Sequence, residues 1–288
     1  MENKNVTKYP IKEITIFKVD NFLNNDLYQK IKKNFNNYLA DPFQVKNFLD
    51  KKNLKYCFNS RMEIYDSIKS NFSEVKELDE IIKSKEFYTF FFKKFFFNLL
   101  NSKKKNFGQL IRLFKIPEDM SLNSNKIKDF KTYFDSHGHE KIQRINIEKS
   151  KLLDIFINKI EITAEYSYIL NNGKIVPHTD DIDKIFSLML YFPKYEEKEN
   201  RDLKNKEEKI GTVFWSSKKK NYENIHQEGE LELEFEKKNK EIMQLPFVGN
   251  KLYGFIKNDL SWHSVKKINL EEDYVRNSIN INFRFINN

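Results

Sequence analysis

The stretch RNSININFRF, from Arg276 to Phe285, decides the fold because polar and apolar residues alternate strictly from Ser278 to its end. Successive side chains of a β-strand project to opposite faces, so the alternation predicts a strand with one polar and one apolar face. The polar face carries Arg276, Ser278, Asn280, Asn282 and Arg284, and the apolar face carries Ile279, Ile281, Phe283 and Phe285. We expect the apolar face to pack on helices or a second sheet, which leaves the polar face to line a lumen or meet solvent.

Six other segments are short, rich in β-branched or aromatic residues, and mostly bounded by Gly, Asn, Pro or charged loops. They are GQLIRLF (108–114), KIEITAEYSYIL (159–170), KIFSLMLYF (184–192), GTVFWSS (211–217), ELELEFE (230–236) and NKLYGFI (250–256). This many short strands after residue 107 predict an antiparallel barrel or a double-sheet jelly roll.

The N-terminal part of the chain has a mainly helical pattern. IKEITIFKV (11–19) predicts one strand, and Asn24 or Asn25 can cap a helix that continues to Phe35. Residues 40–110 keep a helical period, and the apolar run FYTFFFKKFFFNLL (87–100) predicts a helix that is buried on both sides.

These patterns predict one domain over residues 1–288, mainly β with a helical N-terminal part. Residues 1–105 form a mainly helical support region, and residues 107–288 form the β core. The charged run at 194–210 is expected to be a solvated insertion between strands.

Composition limits the classes of function. Aromatic residues make up 15% of the chain, which supplies ample core material, and the single Cys57 excludes an internal disulfide. No signal peptide or membrane span is evident, so we expect a cytoplasmic protein. The net charge of +9 could indicate an anionic partner, but Lys, Asn, Ile, Phe and Tyr all have AT-rich codons. We therefore attribute the charge mainly to genome composition and do not expect a nucleic-acid partner.

A metal-binding constellation follows from VPHTDD and from the histidine that ends DLSWH. His178 and Asp180 are two residues apart, so in an extended strand both side chains would project to the same face. His263 follows a later apolar strand and a turn. Two histidines and one carboxylate make a facial triad that suits iron(II) and leaves positions open for small ligands. Arg276, with the Ser278 hydroxyl beside it, is a suitable receptor for a carboxylate.

Together these residues resemble the signature of the iron(II)/2-oxoglutarate-dependent oxygenases, nearest to the prolyl-hydroxylase-like branch. The order His178-x-Asp180, His263 and Arg276-x-Ser278 is similar to the signature of that family. FSLMLYFP, GTVFW and PFVGNKLYGFIKNDLSWHSVKKI also resemble segments of that branch. The likeness covers about residues 160–286.

The resemblance implies a double-stranded β-helix (a jelly-roll or cupin-like core) flanked by α-helices. It implies iron(II) at His178, Asp180 and His263, and O2 and 2-oxoglutarate as cosubstrates, with ascorbate as a candidate supporting reductant. Arg276 and Ser278 would hold the distal carboxylate of 2-oxoglutarate. Tyr168 would reach the same carboxylate, with Tyr166 as the fallback. Candidate pocket-lining residues are Tyr166, Ser187, Tyr191 and Asn280.

Three functions remain open at this point. The first is hydroxylation of a small-molecule or sugar-type metabolite, which could be anionic. The second is hydroxylation of a prolyl or other protein side chain, and the third is a non-catalytic metal-binding barrel that acts as a binding module. His226 is expected at the surface or the pocket rim, and His137 and His139 are expected at the surface.

Overall fold

The computed structural model describes residues 4–39, 49–100, 159–181, 183–195, 201–221 and 224–286. The strand expected at 108–114, and His137 and His139, lie outside the described residues.

Two antiparallel sheets form the core. The strands are β1 (Val6–Lys8), β2 (Ile16–Asp20), β3 (Lys55–Asn59), β4 (Lys159–Leu170), β5 (Ile175–His178), β6 (Lys184–Phe192), β7 (Val213–Ser216), β8 (Lys240–Gln244), β9 (Lys251–Ile256), β10 (His263–Val265) and β11 (Val275–Ile286). The large sheet has the order β1-β2-β9-β6-β11-β4-β3, and the small sheet has the order β5-β10-β7-β8.

From β4 onwards the chain crosses repeatedly between the two sheets. β4, β6, β9 and β11 lie in the large sheet, while β5, β7, β8 and β10 lie in the small sheet. This alternation is the winding of a double-stranded β-helix, and it confirms the predicted jelly-roll core. The long strand β11 lies in the interior of the large sheet, where it pairs with both β4 and β6.

The described helices are α1 (Asn25–Asn34), α2 (Glu63–Asn71), α3 (Ser73–Lys83), α4 (Lys85–Leu100), α5 (Arg201–Glu207) and α6 (Glu230–Lys238). The side chain of Asn24 caps α1 by accepting a hydrogen bond from the amide of Leu27 at 2.7 Å. Phe87 and Phe91 of α4 pack against Phe283 of β11, with ring centroids 5.7 and 5.8 Å apart. The outer, apolar face of β11 is therefore buried under helices, as its alternation predicts.

Three local predictions were wrong. ELELEFE forms helix α6 rather than a strand, because only Phe235 needs burial and Glu and Lys are good helix formers. Residues 55–59 form the edge strand β3, which pairs with β4 inside the stretch expected to be helical. The charged insertion contains helix α5, whose last residue Glu207 is buried rather than solvated.

None of the helices within the described ranges combines the length and the apolar character that crossing a bilayer requires.

Candidate functional site

Two histidines and an aspartate meet between the sheets. His178 ends β5, His263 begins β10, and the two residues are direct cross-strand partners. Nε2 of His178 lies 3.7 Å from Oδ1 of Asp180, and Nε2 of His263 lies 3.7 Å from Oδ2 of the same carboxylate. All three residues are buried, and one ligand atom from each lies within 4.8 Å of the other two, so the group could hold one metal ion.

Asp180 reaches this position by a different route from the one expected. The strand ends at His178, and Asp180 has a positive φ of 67°. Shared projection along one extended strand is therefore not the reason that the two side chains converge. Asp is among the residues that tolerate the left-handed region, and this conformation turns its carboxylate back towards the histidines.

The histidine tautomers fit a metal. Nδ1 of His178 lies 2.9 Å from the carbonyl oxygen of Val176, and Nδ1 of His263 lies 2.9 Å from that of Ser261. A carbonyl can only accept, so each Nδ1 carries the proton. Each Nε2 then presents a lone pair to the centre of the triad, which is the arrangement that histidine ligands of metals adopt.

The protonation states fit as well. Burial by itself would raise the pKa of Asp180, but the Lys184 ammonium and the two histidines hold it well below its ordinary value. Lys184 Nζ and Ser187 Oγ each donate to this carboxylate at 2.7 Å. Burial, followed by the proximity of His178, lowers the pKa of His263 to about 3, so its imidazole is neutral. A carboxylate and a neutral imidazole are the forms that ligate metals.

Arg276 lies on the lumen side of β11 in the same cavity. Its guanidinium lies 5.0 Å from the ring centre of Tyr191 and 4.8 Å from that of Phe247, and Nε donates to the carbonyl of Ile210 at 2.8 Å. Nη1 lies 3.4 Å from the Ser278 hydroxyl. Arg276 is only 3% exposed, yet it forms no ion pair with any described carboxylate. A buried cation without a carboxylate partner among the described residues favours binding of an anion.

The predicted pocket-lining residues divide into two groups. Ser187 and Asn280 line the cavity together with the triad and Arg276. Tyr191 lies beside Arg276, and its hydroxyl is hydrogen-bonded to that of Thr212 at 2.9 Å.

Tyr168 and Tyr166 point away from the cavity, so their expected position was wrong. The Tyr168 hydroxyl donates to the carbonyl of Phe35 at 2.8 Å, under the N-terminal helices. The Tyr166 ring stacks on Phe58 at 4.8 Å. The register explains the difference: Arg276 pairs with Ile169, so residues 165, 167 and 169 share its face and the tyrosines do not.

Several cavity residues were missed by sequence reasoning. They are Lys55, Glu165, Ser167, Lys184 and Asn224. His226, expected at the surface or the pocket rim, lines the cavity with its ring centre 4.8 Å from that of His178, and Arg284 of the polar face of β11 lines it as well. The alternation of KIEITAEYSYIL could have indicated Glu165 and Ser167, since both lie on its polar face. Lys55 had no comparable signal, because its strand lies in a segment with a helical period.

Comparisons with known proteins find only distant structural likenesses. No protein-family model matches the chain. No curated protein matches it either. The chain is similar to a solved prolyl-4-hydroxylase of Pseudomonas putida, with a TM-score of 0.36, 9% identity, and coverage of 98% of this chain and 94% of that one.

Two further similar structures match over less of their length. One is SnoK, a non-heme alpha-ketoglutarate-dependent carbocyclase from nogalamycin biosynthesis, with a TM-score of 0.30, 6% identity, and coverage of 46% of this chain and 54% of that one. The other is HygX of Streptomyces hygroscopicus with nickel and 2-oxoglutarate bound, with a TM-score of 0.27, 6% identity, and coverage of 43% and 56%. These likenesses are distant, so function has to be argued from the residues of the site.

Proposed function

We propose that this protein is an iron(II)- and 2-oxoglutarate-dependent dioxygenase. It hydroxylates an unactivated C–H bond of a small-molecule or sugar-type metabolite and releases succinate and CO2. The observation that carries this proposal is the single cavity lined by both the His178–Asp180–His263 triad and the buried Arg276. A ligand for both features needs a metal-chelating end and a distal carboxylate, and 2-oxoglutarate has both.

In this proposal His178, Asp180 and His263 hold iron(II). Iron(II) held there together with 2-oxoglutarate would supply the oxidising power for hydroxylation, with succinate and CO2 as the products of the keto acid. The protein supplies the geometry: two Nε2 lone pairs and one carboxylate oxygen face the same point, and the backbone carbonyls of Val176 and Ser261 fix both rings.

Arg276 and Ser278 hold the distal carboxylate of 2-oxoglutarate. The planar guanidinium is already held beside the rings of Tyr191 and Phe247, which also contact each other, so little conformational entropy is lost when it binds. On the other side of the site, Phe255 packs against His263 with ring centres 4.8 Å apart, which excludes water from that side of the triad.

The test measures succinate from purified protein supplied with iron(II), 2-oxoglutarate, ascorbate and oxygen. We expect slow formation of succinate without added substrate, and its loss in His178→Ala and in Asp180→Ala. Asp66→Ala is the matched control, because Asp66 lies on α2 with its side chain 49% exposed. The control should behave like the wild type.

Absence of 2-oxoglutarate binding to the wild type under anaerobic iron(II) would refute the proposal and leave a non-catalytic metal-binding barrel. Pools of metabolites and of peptides, compared for stimulated decarboxylation, separate the small-molecule hydroxylase from the protein hydroxylase. Stimulation by the peptide pool alone would show that the enzyme hydroxylates protein side chains instead of a small molecule.

A further inference from the structure

One wall of the cavity, formed by β3, β4 and β11, carries a second group of polar side chains. We call this group the polar trough, and it consists of Lys55, Glu165, Ser167, Asn280 and Asn282. Glu165 and Asn280 are cross-strand partners. None of these five side chains takes part in the metal triad or the Arg276 site.

One carboxylate oxygen of Glu165 has no hydrogen-bond donor among the described residues. Its Oε1 accepts hydrogen bonds from Lys55 Nζ at 3.1 Å and from Asn280 Nδ2 at 3.2 Å. Its Oε2 has no hydrogen-bond donor among the described residues, and the side chain is 25% exposed. Because Glu165 lines the cavity, this oxygen is available to a bound molecule.

One further group in the trough lacks a partner within the described ranges. The Ser167 hydroxyl is buried without a hydrogen bond, and the residue is 1% exposed. Asn282, which is 4% exposed, lines the same cavity. A buried polar group without a partner is costly, so Ser167 favours a ligand with hydrogen-bonding groups.

Among the described residues that line the cavity, every lysine and arginine other than Arg276 is already paired with a carboxylate. Lys55 is paired with Glu165, Lys184 with Asp180, and Arg284 with Asp181. Arg276, without a carboxylate partner among the described residues, is assigned to 2-oxoglutarate. The two charged groups of the trough, Lys55 and Glu165, therefore neutralise each other, and the trough has no excess positive charge to bind an anion.

We propose that the polar trough binds the primary substrate, and that this substrate is a small molecule that presents ammonium or hydroxyl donors and has no net negative charge. The inference depends on the proposed function, since it identifies the substrate class of the same site. It argues against an anionic substrate, a possibility that the overall charge of the chain had left open.

The trough also explains how such a substrate would reach the reacting centre. Asn282 is the cross-strand partner of Ser187, whose hydroxyl holds Asp180. A molecule bound to Glu165, Asn280 and Asn282 therefore lies beside the triad. Glu165 is a positioning and specificity-determining residue in this arrangement, because it orients the substrate.

The experiment measures binding of defined probes to protein loaded anaerobically with iron(II) and 2-oxoglutarate. Amine probes are putrescine and L-lysine, hydroxyl probes are sorbitol and myo-inositol, and anionic probes are citrate and glucose 6-phosphate. Calorimetry gives the Kd of each probe, and succinate formation in air gives its KM. The variants are Glu165→Gln and Ser167→Ala, with Glu234→Gln as the control because Glu234 also pairs with a lysine but lies exposed on α6.

We expect amine or hydroxyl probes to bind and anionic probes not to bind. Glu165→Gln should raise Kd and KM about 10- to 100-fold for amines, since a hydrogen bond to a charged partner is lost, and less for hydroxyl probes. Ser167→Ala should weaken binding several-fold without lowering the melting temperature, because the hydroxyl has no hydrogen-bond partner among the described residues. A purely structural role for Ser167 would leave Kd unchanged.

The inference is overturned if no amine or hydroxyl probe binds while 2-oxoglutarate does. Tight binding of the anionic probes, or probe affinities that neither variant changes, would overturn it equally. So would a loss of 2-oxoglutarate affinity in Ser167→Ala with unchanged probe binding. In all these cases the proposed function still stands. Failure of the wild type to bind 2-oxoglutarate would instead refute the proposed function, and this inference with it.

Discussion

His178 and His263 are direct cross-strand partners in the small sheet, and their ring centres lie 4.2 Å apart. The backbone register of β5 and β10 therefore fixes the distance between the two imidazoles before any metal binds. Asp180 closes the group from the turn after β5, and its carboxylate receives a hydrogen bond from Ser187 of the large sheet. The candidate metal site thus depends on how the two sheets face each other.

Ser187→Ala should weaken iron(II) binding about 10- to 100-fold without unfolding the protein, because Asp180 loses the hydrogen bond that orients its carboxylate. Anaerobic titration with iron(II) measures the effect. Ser70→Ala, on the exposed face of α2, is the control. Equal iron affinity in the two variants would show that Ser187 does not orient the ligand.

Arg276→Ala should weaken 2-oxoglutarate binding by roughly 2–5 kcal/mol, because the distal carboxylate would be buried without its charge partner. Arg276→Lys should recover only part of the affinity, since an ammonium cannot form two parallel hydrogen bonds or stack on the rings of Tyr191 and Phe247 as a planar guanidinium does. Calorimetry under anaerobic iron(II) measures both variants, and Arg201→Ala on the exposed surface of α5 is the control. Full affinity in Arg276→Lys would argue against bidentate binding.

Tyr168→Phe should leave the Kd of 2-oxoglutarate unchanged, because the Tyr168 hydroxyl bonds to Phe35 on the helical side of the large sheet. The free energy of unfolding should fall by about 1 kcal/mol, the usual value for one lost hydrogen bond. Calorimetry and urea denaturation give the two quantities. A large loss of 2-oxoglutarate affinity would show instead that Tyr168 contacts the cosubstrate.

Glu207→Ala should lower the free energy of unfolding by about 1–3 kcal/mol, because it removes the acceptor for several buried donors. The carboxylate accepts from the amides of Lys194 and Tyr195 at 2.6 and 3.1 Å, and from the Tyr274 hydroxyl at 2.7 Å. Glu208→Ala, whose side chain is 39% exposed, is the control for urea denaturation. A Glu207→Ala protein as stable as the control would mean that the charged insertion is not fixed by this residue.

The Lys55–Glu165 pair should make stability depend on pH in the acid range. Burial opposes ionisation of Glu165, but Lys55 outweighs it and lowers the pKa of Glu165 from 4.5 to about 2. The unfolded chain therefore binds more protons between these values, so this stabilisation is present above pH 4.5 and is lost as the pH falls towards 2.

The free energy of unfolding that this pair contributes changes by at most about 1.4 kcal/mol for each unit of pH. Denaturation of the wild type and Glu165→Gln across this range measures it. The difference in unfolding free energy between them should shrink on acidification, and a constant difference would contradict the lowered pKa.

The sequence alone was sufficient to predict the double-stranded β-helix and the grouping of His178, Asp180, His263 and Arg276. Alternation along a strand is a local property that sets which residues share a face, so RNSININFRF places Arg276, Ser278 and Asn280 together in any sheet that buries its apolar side. The helix formed by ELELEFE shows the limit of the same rule, since a short alternating run with little to bury can also be helical.

Only the tertiary structure decided which face of each strand lines the cavity between the sheets. Tyr168 and Ser167 are adjacent in the chain, and the pairing of Arg276 with Ile169 assigns Ser167 to the cavity and Tyr168 to the helical side. The polar trough likewise requires Lys55 of an N-terminal edge strand to meet Glu165 of β4. Such contacts depend on inter-strand register, which is set by the packing of the whole core rather than by the local sequence.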